Sequence, residues 1–256
     1  MPKIIAIANQ KGGVGKTTTS VNLSACVAER GKKVLLIDID PQGNATSGLS
    51  ITSNGEKSIY NVLVDELKIE EAIKPTMVKN LHICPSNIDL AGAEIELVSL
   101  VSREGRLKSA LDNMEAKYDY IFMDCPPSLG LITLNAFTAA NSVIVPIQCE
   151  YYALEGLGQL VNTIKLVKKH LNADLEIEGV VLTMYDSRTK LSSQVAEEVN
   201  KYFNERVFNT VIPRNIRLSE APSHGLPISM YDPLSKGART YKKLAKELVN
   251  KNKEVK

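Results

Sequence analysis

The chain has 256 residues, 44% of them hydrophobic and 23% charged, with a formal net charge of +2. That balance supports a sizeable buried core and excludes collagen-like, disulfide-scaffold and charge-driven disordered chains; no run approaches the ~18 apolar residues of a membrane-spanning helix. The charge is unevenly placed. Residues 236–256 carry eight Lys/Arg against two Glu, a local charge of +6, so the other 235 residues sum to −4. A basic segment on a near-neutral body suits an anionic partner or a solvated helix face.

The first apolar run, residues 4–8, reads as a buried strand and opens directly into a glycine-rich turn, Gln10 to Thr18. A helical pattern with Val21, Leu23, Cys26 and Val27 follows. Strand, glycine turn and helix form the setting of a phosphate-binding loop. Gly12, Gly13 and Gly15 let backbone N–H groups of the loop, including those of Val14 and Thr18, crowd round a polyphosphate, and the helix N-terminus adds partial positive charge. Lys16 is placed to reach the β- and γ-phosphates and the Thr17 hydroxyl to hold Mg²⁺. The general pattern G-x-x-x-x-G-K-[ST] requires Gly at position 10; this chain has Gln10, with an additional lysine, Lys11, beside the glycines.

Residues 33–39 read as a second buried strand ending in Asp38 and Asp40, before a turn at Pro41 and Gly43. Carboxylates at the C-terminal end of a parallel strand lie where α/β sheets bind ligands. Asp38 is a candidate for supporting Mg²⁺ through water, and Asp40 for orienting or polarising the attacking water. Residues 45–80 are polar and irregular, with a short helix expected near 58–64. A strand is expected over 81–85, its His82 structural, then helices near 88–100 and 103–116. Residues 118–124 form an apolar strand ending in Asp124, the Walker B pattern, in which the carboxylate supports Mg²⁺. The loop that follows, Cys125 to Ser128, suits a γ-phosphate-sensing switch.

Further along, helices are expected near 131–140, 153–170, 190–203 and 236–250, and strands over 142–147 and 177–184. The last helix places Tyr241, Leu244, Ala245, Leu248 and Val249 at helical spacing among lysines. Strand and helix alternate without an internal repeat or linker. The expected fold is therefore α/β: a doubly wound, mostly parallel sheet flanked by helices, with residues 1–256 as a single domain. Cys26, Cys84, Cys125 and Cys149 form no C-x-x-C pair and are expected to be reduced core thiols. The start of the chain has no signal-peptide pattern, so a cytoplasmic protein is expected.

Taken together, KGGVGKTT (11–18), DIDPQGN (38–44) and DCPPS (124–128) closely resemble the ParA/Soj partitioning ATPases of the deviant Walker A group of P-loop NTPases. The resemblance continues through EYYALEG (150–156), MYDSRT (184–189) and IPRNIRLSEAPSHG (212–225), and so covers essentially the whole chain. It implies ATP and Mg²⁺ sandwiched in a homodimer, with Lys11 crossing to the partner's phosphates while Lys16 and Thr17 act within their own subunit. It also implies a catalytic Asp40, metal support from Thr17, Asp38, Asp40 and Asp124, and adenine contacts at Pro213 and Asn215. The ATP-bound dimer would bind DNA without sequence preference through Arg188 and Arg217, with Lys242 and Lys243 as further candidates. A ParB-like partner would stimulate hydrolysis and reset the monomer, in the cytoplasm on the nucleoid. The first strand begins at residue 3, which resembles the short chromosomal type without an operator-binding extension.

Three other readings have distinct requirements. A MinD-like regulator needs a C-terminal membrane-binding helix, whereas residues 250–256 contain one apolar residue in seven. An iron–sulfur electron carrier of this fold needs glycine-flanked cluster cysteines that the chain lacks. A non-hydrolysing nucleotide-gated scaffold would not need Lys16, Asp40 and Asp124 together.

Overall fold

The computed structural model describes residues 2–53, 55–151 and 156–254. In chain order the strands are β1 (Lys3–Ile7), β2 (Val34–Asp38), β3 (Lys74–Pro75), β4 (Leu81–Cys84), β5 (Tyr120–Asp124), β6 (Ser142–Gln148) and β7 (Glu176–Thr183). Helices α1 (Lys16–Glu29), α2 (Asn44–Ser47), α3 (Ile59–Val64), α4 (Leu90–Glu96), α5 (Arg106–Asp112) and α6 (Leu131–Ala139) alternate with them. They continue as α7 (Leu157–His170), α8 (Lys190–Phe203), α9 (Ile216–Glu220), α10 (Ile228–Tyr231) and α11 (Lys236–Glu254).

The sheet order is β3-β4-β2-β5-β1-β6-β7, parallel except for the two-residue β3. Each inner strand is apolar on both faces, as a sheet covered by helices on each side requires. Successive side chains along a strand feed different cores. Ile5 and Ile7 of β1, Val34 and Leu36 of β2 and Phe122 of β5 pack with Leu23, Val27, Tyr241, Leu244 and Leu248. Ala6, Leu35, Ile37, Ile121 and Met123 face the other way, against Val62, Leu107, Phe137 and Leu160. Helices α1 and α11 thus cover one face and α3 to α8 the other, which is the doubly wound arrangement expected from the alternation. β1 lies between β5 and β6, so the loop after β1 emerges where the chain changes direction across the sheet, the usual ligand crevice of such folds.

The departures from the expected elements are local. The helix expected over 88–100 ends at Glu96 and tightens into a 3₁₀ turn at Leu97–Ser99, and the one expected over 103–116 is shorter, Arg106–Asp112. The polar stretch 45–80 contains α2, α3, a 3₁₀ turn and β3. Helix α7 is described from Leu157, and residues 152–155 of the 150–156 motif lie outside the described residues. All four cysteines are buried and free. His82 Nδ1 and the Tyr118 hydroxyl are hydrogen-bonded at 2.8 Å.

Candidate functional site

The glycine loop spans from the end of β1 to the first turn of α1. Its shape is set by hydrogen bonds from distant strands. The Asn9 side chain accepts the Lys11 N–H (3.0 Å) and donates to the Pro146 carbonyl in β6 (2.7 Å). The Thr183 hydroxyl at the end of β7 donates to the Val14 carbonyl (2.8 Å). Gly15 precedes α1 at φ 85°, a left-handed conformation that favours glycine, and no side chain caps the helix. The first N–H groups of a 14-residue helix are therefore open toward the crevice, where they attract an anion. A Cβ built on Gly12 would meet nothing within 4 Å, so the loop surface there is free for close approach. Gln10, at the position where the general pattern has Gly, packs against Gly156 at the start of α7.

Lys16 is only 7% exposed and donates from Nζ to the Lys11 carbonyl (3.0 Å). Burial lowers its pKa, opposed by the charges of Asp124 and Asp40. The carboxylates come from neighbouring strand ends, since Asp38 and Asp124 are register partners in β2 and β5 and Ile7 of β1 flanks Asp124. Asp38 is fully buried; Oδ2 accepts the Thr46 N–H (2.8 Å) and hydroxyl (2.7 Å), and Oδ1 accepts the Asp40 N–H (3.2 Å). Asp40 is 8% exposed and accepts the Gln42 N–H at Oδ1 (3.0 Å). Asp124 accepts the Ser20 hydroxyl at Oδ1 (2.8 Å), while its buried Oδ2 has no hydrogen-bond partner. Burial, then repulsion between the two carboxylates, raises the pKa of Asp124; burial chiefly raises that of Asp38.

This donor set fits Mg²⁺. Hard oxygens are offered by Asp124 and by Thr17, whose hydroxyl interacts with that carboxylate. Among the described residues no group of three or more His, Cys, Asp or Glu forms a metal cage. A cation that keeps several waters and takes phosphate oxygens needs only such sparse support.

Beside the loop lies a cleft of about 320 Å³, lined in part by Gly15, Thr18, Pro213, Asn215, Met184 and Tyr241. The segment after α8 forms its wall by running along β7 and its extension, with Ile212 N–H bonded to the Leu182 carbonyl (2.8 Å) and Arg214 N–H to the Tyr185 carbonyl (3.0 Å). Pro213 and Asn215 thereby line the same cleft as Gly15 and Thr18 of the glycine loop. Sequence reasoning assigned no role here to Met184 or Tyr241. Met184 has φ 51°, uncommon for an unbranched non-glycine side chain, and the motif around it offered a signal. Tyr241 read as a core position of the last helix and is 1% exposed; its hydroxyl also pairs with Thr19 of α1 (3.2 Å).

The four candidate DNA contacts lie outside this cluster. Arg188 makes a two-pronged pair with Asp186 (2.9 and 2.7 Å), which holds that carboxyl well below its ordinary pKa. Arg217 pairs with Glu220 (2.8 Å) and Asp232 (3.6 Å), and Lys242 with Glu29 (3.8 Å). Lys243 is exposed on α11.

The AAA domain family matches residues 2–177. The chain is 65% identical over 249 residues to the sporulation initiation inhibitor protein Soj of Bacillus subtilis, covering 97% of this chain and 98% of that one. It is 54% identical over 251 residues to the chromosome partitioning protein ParA of Myxococcus xanthus, covering 98% and 89%. Among solved structures, cobyrinic acid a,c-diamide synthase from Mycobacterium smegmatis with bound ADP and magnesium superposes with a TM-score of 0.88 at 39% identity, covering 100% and 97%.

Proposed function

Because the chain belongs to the ParA/Soj family of chromosome-partitioning ATPases, we propose that it runs a DNA-segregation cycle in which ATP and Mg²⁺ assemble a homodimer on DNA and hydrolysis dissolves it. The observation that carries this reading is the convergence of an uncapped α1 N-terminus, buried Lys16 and three carboxylates, with Asp124 Oδ2 unpartnered, at the ends of β1, β2 and β5.

In this reading the loop N–H groups from Gly12 to Thr18 bind the phosphates, and Pro213 and Asn215 contact the base. Asn215 Oδ1 is occupied by the Arg217 N–H (2.9 Å), so its amide NH₂ is the group left for adenine. Lys16 leaves the Lys11 carbonyl for the phosphates, where it offsets charge in a loose phosphoryl-transfer transition state. Thr17, Asp124 and Asp38 would hold Mg²⁺ directly or through water, with Asp40 beside them, and the ion would supply positive charge to offset that of the phosphates. Asp40 orients the attacking water. Lys11 reaches the partner subunit's phosphates across the open surface at Gly12, so loss of the γ-phosphate weakens the dimer. Arg188, Arg217, Lys242 and Lys243 contact DNA phosphates, each weakly, and pairing two subunits sums them on one duplex.

A ParB-like protein stimulates turnover, and the protein acts in the cytoplasm on the nucleoid, as one domain over residues 1–256. Membrane binding through α11 is disfavoured because its apolar residues, Ala238, Tyr241, Leu244, Ala245, Leu248 and Val249, are buried against the sheet. Among the described residues no helix is long and apolar enough to cross a membrane. The test is ATP turnover with and without duplex DNA and a cognate ParB-like protein, with molecular mass measured in ATP and in ADP. Stimulation with an ATP-dependent dimer is expected; a monomer at saturating ATP would overturn the shared-site mechanism.

A further inference from the structure

The β7 edge of the sheet carries a second cleft, of about 500 Å³, which shares no lining residue with the cleft beside the glycine loop. It lies between the later turns of α7 and the end of α8, against the start of β7. Its floor is apolar: Ile164, Leu175 and Phe203 are buried, and Val161 and Ile177 are half-buried. Tyr202 adds an aromatic wall that is 58% exposed, its ring edge-on to Phe203 with ring centres 4.8 Å apart. The chain turns tightly round this end. Asn204 closes α8 at φ 49°, uncommon for a residue with a side chain. A Cβ on Gly179 would come within 2.9 Å of the Arg206 carbonyl and 2.5 Å of the Phe208 ring. Glycine there lets the returning segment lie flat on β7, which brings Arg206 to the cleft.

The rim is charged, and unevenly so. Lys165, Lys168 and Arg206 line the cleft against one carboxylate, Glu176. Lys168 and Arg206 share that carboxylate, Arg206 at 3.6 Å, and the Glu176 side chain is 52% exposed. Exposed pairs of this kind are weak and exchange partners readily. Lys165 is exposed and is in no ion pair among the described residues. A floor of aliphatic and aromatic side chains with surplus cations at its edge is complementary to a ligand that is apolar at one end and negative at the other, and the volume falls in the range of small-molecule pockets, ~300–1,000 Å³. We propose that this cleft binds a small amphiphilic anion, an apolar or aryl body bearing one carboxylate or phosphate group.

The body of the ligand lies on Ile164, Leu175 and Phe203 beside the Tyr202 ring. Its acid group takes Lys165 and displaces Glu176 from Lys168 or Arg206. The site is separate from the candidate DNA contacts: Arg188 stands just before α8 and the cleft lies at the far end of that 14-residue helix, about 20 Å away at 1.5 Å per residue. It goes beyond the ATPase reading and does not depend on it.

The probe is anilinonaphthalene sulfonate, an aryl anion whose fluorescence rises in apolar surroundings, titrated into the full chain with and without saturating ATP and Mg²⁺. It should bind equally in both, and naphthoate should displace it about tenfold better than the corresponding naphthyl alcohol. Lys165→Glu with Lys168→Glu should weaken dye and naphthoate about tenfold or more, and Tyr202→Ala about threefold or more. Lys108→Glu, the same charge change on α5, should alter neither. All four side chains are exposed, so these variants leave the packed core intact. Absence of dye binding, equal binding by all variants, or equal loss in the α5 control would overturn the assignment. So would equal displacement by the acid and the alcohol, because the cations would then recognise nothing. Displacement by ATP would put the dye in the cleft beside the glycine loop, and displacement by duplex DNA would give the three cations to DNA; either result refutes the site. Co-sedimentation with phosphatidylglycerol vesicles that needs Lys165 and Lys168, without binding of dissolved naphthoate, would assign the face to a lipid surface and refute it as well.

Discussion

Lys16 and Arg217 are both cations assigned to phosphate groups, yet the molecule holds them in opposite ways. Lys16 is 7% exposed, on a loop pinned by β6 and β7, and donates to a backbone carbonyl 3.0 Å away. Arg217 is exposed on a five-residue helix and already paired with Glu220 and Asp232. Arg188 is likewise held by Asp186. A site that must place charge within an ångström of a reacting phosphate is built before the ligand arrives. A surface that grips a uniform polyanion needs only cations that can exchange partners, since an exposed ion pair contributes ~0–1 kcal/mol and is readily given up.

Substitutions at the buried end of this contrast should have the larger effects. Lys16→Ala is expected to lower ATP affinity by about 10²-fold or more, because a charge-assisted contact is lost from a low-dielectric site. Isothermal titration with ATP and Mg²⁺ measures it, and an unchanged affinity would move the phosphate site elsewhere. Asp40→Ala should slow turnover by about 10²-fold while retaining nucleotide binding, and hold the ATP dimer on DNA. Steady-state ATPase and sizing in ATP separate those two effects.

Asp124→Asn sharpens the comparison because it should separate stability from function. The native carboxyl has a raised pKa from burial and from Asp38. The folded protein therefore binds a proton more tightly than the unfolded chain, and without nucleotide its stability falls as pH rises from about 4 toward the raised value. Asn removes that penalty, so the nucleotide-free variant should melt higher at neutral pH and show a flatter pH–stability profile. Its Mg²⁺-dependent nucleotide affinity should drop about tenfold or more. Melting curves from pH 5 to 8 with and without Mg²⁺–ATP check both halves; a lower melting temperature without ligand would mean that the Ser20 bond outweighs the repulsion.

The same division governs what the sequence reveals. Phosphate chemistry dictates glycines, a lysine and strand-end carboxylates at fixed intervals, so Gly12 to Thr18, Asp38 and Asp124 are legible from local order alone. The central strands are legible because residues such as Leu35 and Leu36 face two separate cores and make the run continuously apolar. Tyr241 is not: its 222-residue separation from Thr19 leaves helical spacing as its visible signal, and that signal reads only as core. The partners of Arg188 and Arg217 depend on side-chain placement in loops and short helices, which no periodic pattern encodes.

At the exposed end the expected effects are smaller. Arg217→Glu should weaken DNA binding about tenfold at moderate salt and reduce the slope of log affinity against log salt by about 1 or more per subunit, with the ATP dimer intact. Loss of the dimer as well would make Arg217 part of the nucleotide site.

The smallest effect is expected where the two regions touch. Tyr241 lies on the basic helix α11, lines the cleft beside the glycine loop and pairs with Thr19 on α1, the helix that follows that loop. Tyr241→Phe keeps the ring that fills the core and deletes one buried hydrogen bond, for a cost of about 1 kcal/mol. Denaturant unfolding measures that cost. If the pair only packs α11 onto α1, ATP and DNA affinities should both stay within twofold of the parent. If it transmits nucleotide occupancy to α11, the ratio of DNA affinities in ATP and ADP should fall while ATP affinity holds, a change that lost packing alone would not produce.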